Sequence, residues 1–185
     1  MGENGILEWG PVLRVRRNHG LEHATLNLLI KKYPGSPFSG HSDRQGFWII
    51  GDISTDELLE TAREALKRMR DGEKRLAVHS NCGTNYVTTG LVAGSLVWLA
   101  SLGNQHSFKK KLDRWPLMVM IVTGSLIAAQ PLGPKVQEKI STSGDPGPLT
   151  IRQIIRYERS GPCLHRILTV EESTEAVEAV EGAEI

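Results

Sequence analysis

The chain has 185 residues, with 22 basic and 21 acidic side chains and a net charge of +1. That length accommodates one compact domain and a membrane element, but not two full domains as well. The balanced charge lacks the basic footprint of a nucleic-acid binder, and two cysteines, Cys82 and Cys163, do not make a disulfide framework, although they could pair with each other.

Pro11 suits the start of a helix and Pro34-Gly35 its end, so Val12–Lys32 is predicted helical. At 100° per residue, Val15, His19, Glu22, His23, Leu26, Leu29 and Ile30 share one face, while Leu13, Leu21 and Leu28 lie on another. A helix apolar on two sides is expected to be largely enclosed. Residues 35–46 read as turns, Phe47–Ile50 as a short strand, and Ser54-Thr-Asp-Glu57 as a capping box opening a helix that Asp71-Gly72 ends. Leu76-Ala77-Val78 is a second strand candidate, leading into the polar turn His79–Asn85, where Thr84 or Asn85 would cap the next helix.

No Asp, Glu, Lys or Arg occurs from Leu76 to Phe108, nor from Trp115 to Gly133. Tyr86–Gly103 and Trp115–Gly133 are therefore expected to be two transmembrane helices joined as a hairpin. The connector Asn104–Arg114 is basic, but so are the flanks, so charge is a weak guide to orientation. No secretory signal is evident, which favours a multi-pass protein of the cell membrane with its polar domain in the cytoplasm. Gly90 and Gly94 form a GxxxG, and Gly124 and Ala128 its small-residue relative. They suit packing within the hairpin, a homo-oligomer or a larger membrane complex. Beyond the spans, residues 141–148 read as a linker, Leu149–Val170 as two strands around Ser160-Gly161-Pro162, and Glu171–Ile185 as an acidic tail or frayed helix.

The expected fold is α+β: a small mixed domain with a transmembrane helical hairpin inserted. Its parts are a polar domain at 1–85, the hairpin at 86–133, a returning segment at 134–170 and the tail at 171–185.

His19 and His23 stand four residues apart on a predicted helix, a spacing that aims two imidazoles at one metal ion. Glu22 beside them could serve as ligand, outer partner or general base. The alternative is a hydrogen-bonded polar cluster with Arg16 or Asn18 as a partner, since buried polar groups need partners. Zinc is the expected cofactor, and His79 the first choice of third ligand. Cys82 is the alternative to His79, with His41 and Asp43 in reach, and Asn81 a further site residue. Arg14, Arg16 and Arg17 read as a solvated edge or as a surface for anionic headgroups.

His19-Gly-Leu-Glu22-His23 resembles the short His-x-x-Glu-His signature of the inverted zinc peptidases. The resemblance implies His19 and His23 as ligands and Glu22 as the activator of zinc-bound water. The acidic ligand expected downstream has only Glu57, Glu60 and Glu64 as candidates, on an ordinary amphipathic helix. The blocks RRNHGLEHAT (16–25) and HSNCGTN (79–85), followed by an apolar hairpin, resemble an uncharacterised bacterial family of small two-span membrane proteins. That resemblance implies that the two polar blocks belong to one site, and implies no activity. Two functions follow as expectations: a membrane protein with a metal site, extending to a zinc-dependent hydrolase, or a non-catalytic accessory subunit of a membrane complex.

Overall fold

The computed structural model describes residues 5–102, 112–158 and 161–172. The chain is a mixed α/β protein that divides into two compact units, one built from 1–79 with 138–185 and the other from 80–137. Most of the acidic tail and of the basic connector lies outside the described residues, as does Ser160 of the predicted turn.

The first unit opens with a 3-10 turn, Ile6–Glu8, and helix α1, Gly10–Lys32, with Pro11 in its first turn. A hairpin follows, β1 Ser39–Asp43 and β2 Gly46–Ile50, then helix α2, Thr55–Arg70. The capping box forms as predicted. The Ser54 hydroxyl accepts the Glu57 backbone N–H and donates to its carboxylate. The unit is completed by β3, Leu149–Tyr157, and β4, Leu164–Glu171. The sheet is antiparallel, in the order β1-β2-β4-β3. Its inner face presents Phe47, Ile49, Leu149 and Ile167, all fully buried, to Leu21 and Leu29 of α1 and Leu58 and Met69 of α2. Burial of each such side chain contributes about 1.5–3 kcal/mol. Gly46 has φ +148, and a Cβ there would lie 2.0 Å from the Ile167 carbonyl oxygen.

Two local expectations are corrected. Residues 39–43 form a strand despite their turn-like composition, because β2 supplies a partner for every residue of Ser39–Asp43. Residues 74–77 form a 3-10 turn rather than a strand. The sheet gives them no partner, and the carbonyls of Leu76 and Val78 are taken by the Asn27 side-chain amide instead.

The second unit contains α3, Gly83–Ser101, α4, Trp115–Ala129, and the short α5, Leu132–Val136. A π-helical turn, Gln137–Ser141, follows directly. α3 packs against both α4 and α5. The cap of α3 is Cys82, whose Sγ accepts the Thr84 N–H; Thr84 and Asn85 fall inside the first turn, which overturns their predicted role. Asn85 instead donates to the Ser80 carbonyl and accepts from the Gln137 amide. Apolar side chains of α3 and α4 point outward, with Tyr86, Val87, Leu91, Trp98, Trp115, Met120 and Ile127 between 61% and 71% exposed. No single helix among the described residues is long and apolar enough to cross a membrane. Trp115–Ala129 and Leu132–Ser141, bent by 49° at their break, meet that requirement only as a pair.

Candidate metal centre

Helix geometry stacks residues i, i+4 and i+8 along one stripe. On α1 that stripe is His19, His23 and Asn27. Its depth varies: His19 is half-buried, His23 is 2% exposed and Asn27 half-buried. The rings of His19 and His23 meet edge to face with centroids 4.3 Å apart.

The third imidazole comes from the segment after α2. Asn27 donates its side-chain amide to the carbonyls of Leu76 and Val78, both at 2.9 Å, and so draws this segment onto α1. His79 then sits with its ring centroid 5.6 Å from that of His23. An imidazole centroid lies roughly 3 Å from a metal held at Nε2, so two rings on one tetrahedral ion stand ~5 Å apart. The two observed separations fall either side of that value.

The orientation of the rings is more telling. His19 Nδ1 lies 2.9 Å from the Ser141 carbonyl oxygen, His23 Nδ1 lies 2.8 Å from the Ala77 carbonyl oxygen, and His79 Nδ1 lies 2.8 Å from the Asn27 side-chain oxygen. A carbonyl only accepts, so each Nδ1 must carry the proton and donate it; for Asn27 the same follows because its NH₂ is committed to two carbonyls. In its neutral form a ring so bonded carries its lone pair on Nε2, the form in which histidine ligates a metal, with the outer hydrogen bond fixing the tautomer. Burial lowers the pKa of His79, which favours the neutral ring there.

Glycine 20 makes this arrangement possible. A Cβ at that position would lie 2.1 Å from the Ser143 carbonyl oxygen and 3.3 Å from the Ala77 methyl. Its absence lets both segments that supply carbonyl acceptors close onto the helix between the two histidines. The Ser143 N–H also donates to the Arg16 carbonyl.

Glu22, His41, Asp43 and Asn81 take different positions. Glu22 is buried, with its carboxylate against Gly40 of β1: a Cβ on Gly40 would lie 2.6 Å from Glu22 Oε1. By helix projection it stands 60° from His19 and 100° from His23. His41 is exposed on β1, opposite Trp48, and Asp43 pairs with Arg166 at 2.7 Å. Asn81 is exposed in the turn before α3, and Cys82 caps that helix. Cys82 and Cys163 are both thiols.

The arginines are not a solvated edge. Arg14 donates to the Thr169 carbonyl, Arg17 pairs with Glu171 at 3.0 Å, and the Arg16 guanidinium donates to the carbonyls of Leu7, Lys139, Ile140 and Thr142 and to Glu8. Asn18, fully buried, bridges the Asp43 carbonyl and the Thr169 hydroxyl. These residues fasten α1 to the sheet and to the returning segment. Sequence reasoning missed Asn27, although its place four residues beyond His23 was the available signal.

The family model for a domain of unknown function, DUF6391, matches residues 14–154. A curated relative, an uncharacterised protein of Picosynechococcus sp., is 32% identical over 159 residues, covering 74% of this chain and 72% of its own length. No solved structure matches.

Proposed function

The chain belongs to the DUF6391 family, and from that premise we propose that it is a membrane-anchored protein holding one transition-metal ion, zinc in the first instance, on the Nε2 atoms of His19, His23 and His79. The observation that carries this reading is the common orientation of the three rings, each with Nδ1 committed to an oxygen acceptor. A polar cluster satisfied by internal hydrogen bonds alone does not require three histidines in the same tautomer. Three imidazoles are a zinc donor set that leaves a position for water or substrate. Hydrolysis with Glu22 as base is the catalytic extension of this reading. It requires the Glu22 carboxylate, now against Gly40, to reach the metal-bound water.

The anchor in this reading is the 80–137 unit, inserted as a hairpin. Its outward apolar side chains support that. The 1–79 domain then remains cytoplasmic.

Metal analysis of the purified full chain, with cobalt substitution, tests the site. The expected result is about one ion per chain, lost in His23→Gln and in His79→Gln, with a tetrahedral cobalt spectrum. A sulfur-to-cobalt charge-transfer band that disappears in Cys82→Ser would mark a thiolate as an added ligand. Protein free of metal after growth in zinc and cobalt, with no uptake on titration, refutes the reading. Alkaline extraction of membranes tests the anchor: the chain should stay in the pellet.

A second reading, a non-catalytic subunit of a membrane complex, is favoured by one observation. A Cβ at Gly90 or Gly94 would meet nothing within 4 Å, so among the described residues nothing covers the GxxxG face of α3. Co-purification of a stoichiometric partner in mild detergent, abolished by Gly90→Leu, is the result this reading expects.

A further inference from the structure

We propose that Arg16 is a positioning residue for the metal centre, acting through the strap 139–143 and His19, so that metal binding and the order of the strap are reciprocally coupled. This rests on the metal reading above.

The strap begins inside the π-helical turn Gln137–Ser141 and runs past its end, a geometry that leaves terminal carbonyls to be satisfied from outside. Arg16 meets this need. Its guanidinium donates to the carbonyls of Ile140 at 2.8 Å, Thr142 at 3.1 Å and Lys139 at 3.3 Å. The carbonyl between them, that of Ser141, is the acceptor for His19 Nδ1 at 2.9 Å. The Ser143 N–H returns to the Arg16 carbonyl over the space left by Gly20. Ile140, the one large apolar residue of the strap, is 51% exposed, so polar bonds to α1 hold the strap more than burial does.

A metal ion on His19 Nε2 withdraws electron density from the ring and makes Nδ1–H a stronger donor. The His19–Ser141 bond therefore tightens when the ion binds, and linkage requires that tightening the strap raise affinity for the ion. The hydrogen bonds of the Arg16 guanidinium run to the strap, to Leu7 and to Glu8. Arg16 sets the position of the carbonyl that orients one of the ligands.

The experiment uses the full chain in detergent. Backbone hydrogen exchange is measured with and without zinc, and zinc affinity is measured by chelator competition in wild type and Arg16→Lys. Zinc should slow exchange at Ser143 and across 138–143 by at least tenfold, and His19→Gln should remove that protection. Arg16→Lys should weaken zinc binding by about 10–100-fold, the range for residues that orient metal ligands. If zinc binds and protects 76–79 but leaves 138–143 unchanged, the coupling is wrong and the metal reading stands. An Arg16→Lys affinity within threefold of wild type likewise overturns the role of Arg16. Failure of wild type to bind zinc removes both. The exchange arm needs no Arg16 variant, so it decides the coupling even if that variant misfolds.

Discussion

Replacing Asn27 by leucine removes three hydrogen bonds at once while keeping the branched four-atom shape of the side chain. Two are donated to the carbonyls of Leu76 and Val78, and one is accepted from His79. A neutral hydrogen bond contributes about 0.5–1.5 kcal/mol net, and a carbonyl left buried without a donor costs about 1–3 kcal/mol. Both carbonyls retain some access to water, since Leu76 and Val78 are half-buried, so the expected loss is about 2–4 kcal/mol. The effect should be local as well as global. The amides of Leu76 and Val78, bonded to Glu73 and Arg75, should exchange at least ten times faster, a factor equivalent to ~1.4 kcal/mol. Asn27→Asp separates the two functions of the residue. It keeps an oxygen for His79 but turns a second oxygen toward two carbonyls, so it should be at least as damaging as leucine. Denaturant unfolding followed by circular dichroism, with hydrogen exchange resolved over 74–79, checks both variants. An Asn27→Asp protein within 0.5 kcal/mol of wild type, on the ~0.5–1.5 kcal/mol scale of one bond, would refute the claim that the donated bonds hold this segment.

Gly20→Ala places a methyl where the Ser143 carbonyl already lies, and should cost about 1–3 kcal/mol by overpacking and lower metal affinity through His19, as read by unfolding and chelator competition. Gly90→Leu should leave unfolding of the isolated chain unchanged, since its Cβ meets nothing, and a destabilisation above ~1 kcal/mol would show that α3 packs there. Stability should fall as pH drops through about 6.5, the unperturbed histidine value. Burial, aided by Arg156, lowers the pKa of His165, so the unfolded chain takes up a proton there before the folded one does. His165→Gln should make this loss shallower in pH-dependent unfolding, with the residual slope belonging to His79, which burial shifts the same way; an unaltered slope would assign the loss elsewhere.

Much of the fold follows from local pattern. The α1 and α2 boundaries, the Ser54–Glu57 cap and the two late strands each have a short-range cause that the chain displays. What failed depended on distant partners. Ser39–Asp43 is polar and turn-like, and becomes a strand only because β2 pairs with it. Leu76–Val78 has strand composition, yet α1 takes its carbonyls. The arginines before His19 looked like surface charge because carbonyl acceptors 123 to 155 positions away leave no trace in composition. For the site, the His19–His23 stripe was visible in spacing. That all three rings share a tautomer was not, because it depends on backbone oxygens from residues 77 and 141.

The strand order carries a consequence for biosynthesis. β2 has β1 on one side and β4 on the other, and in that second pairing Ile50 opposes Leu164, 114 positions later in the chain. At 5–20 residues per second, roughly 6–23 s pass between the emergence of those two partners from the ribosome. Throughout that interval one edge of β2 has no strand beside it, and such an edge invites pairing with other chains. The nascent protein therefore passes through a stage in which its apolar helices have been made while its sheet is half built, and that interval is when the open edge is most exposed to pairing with other chains.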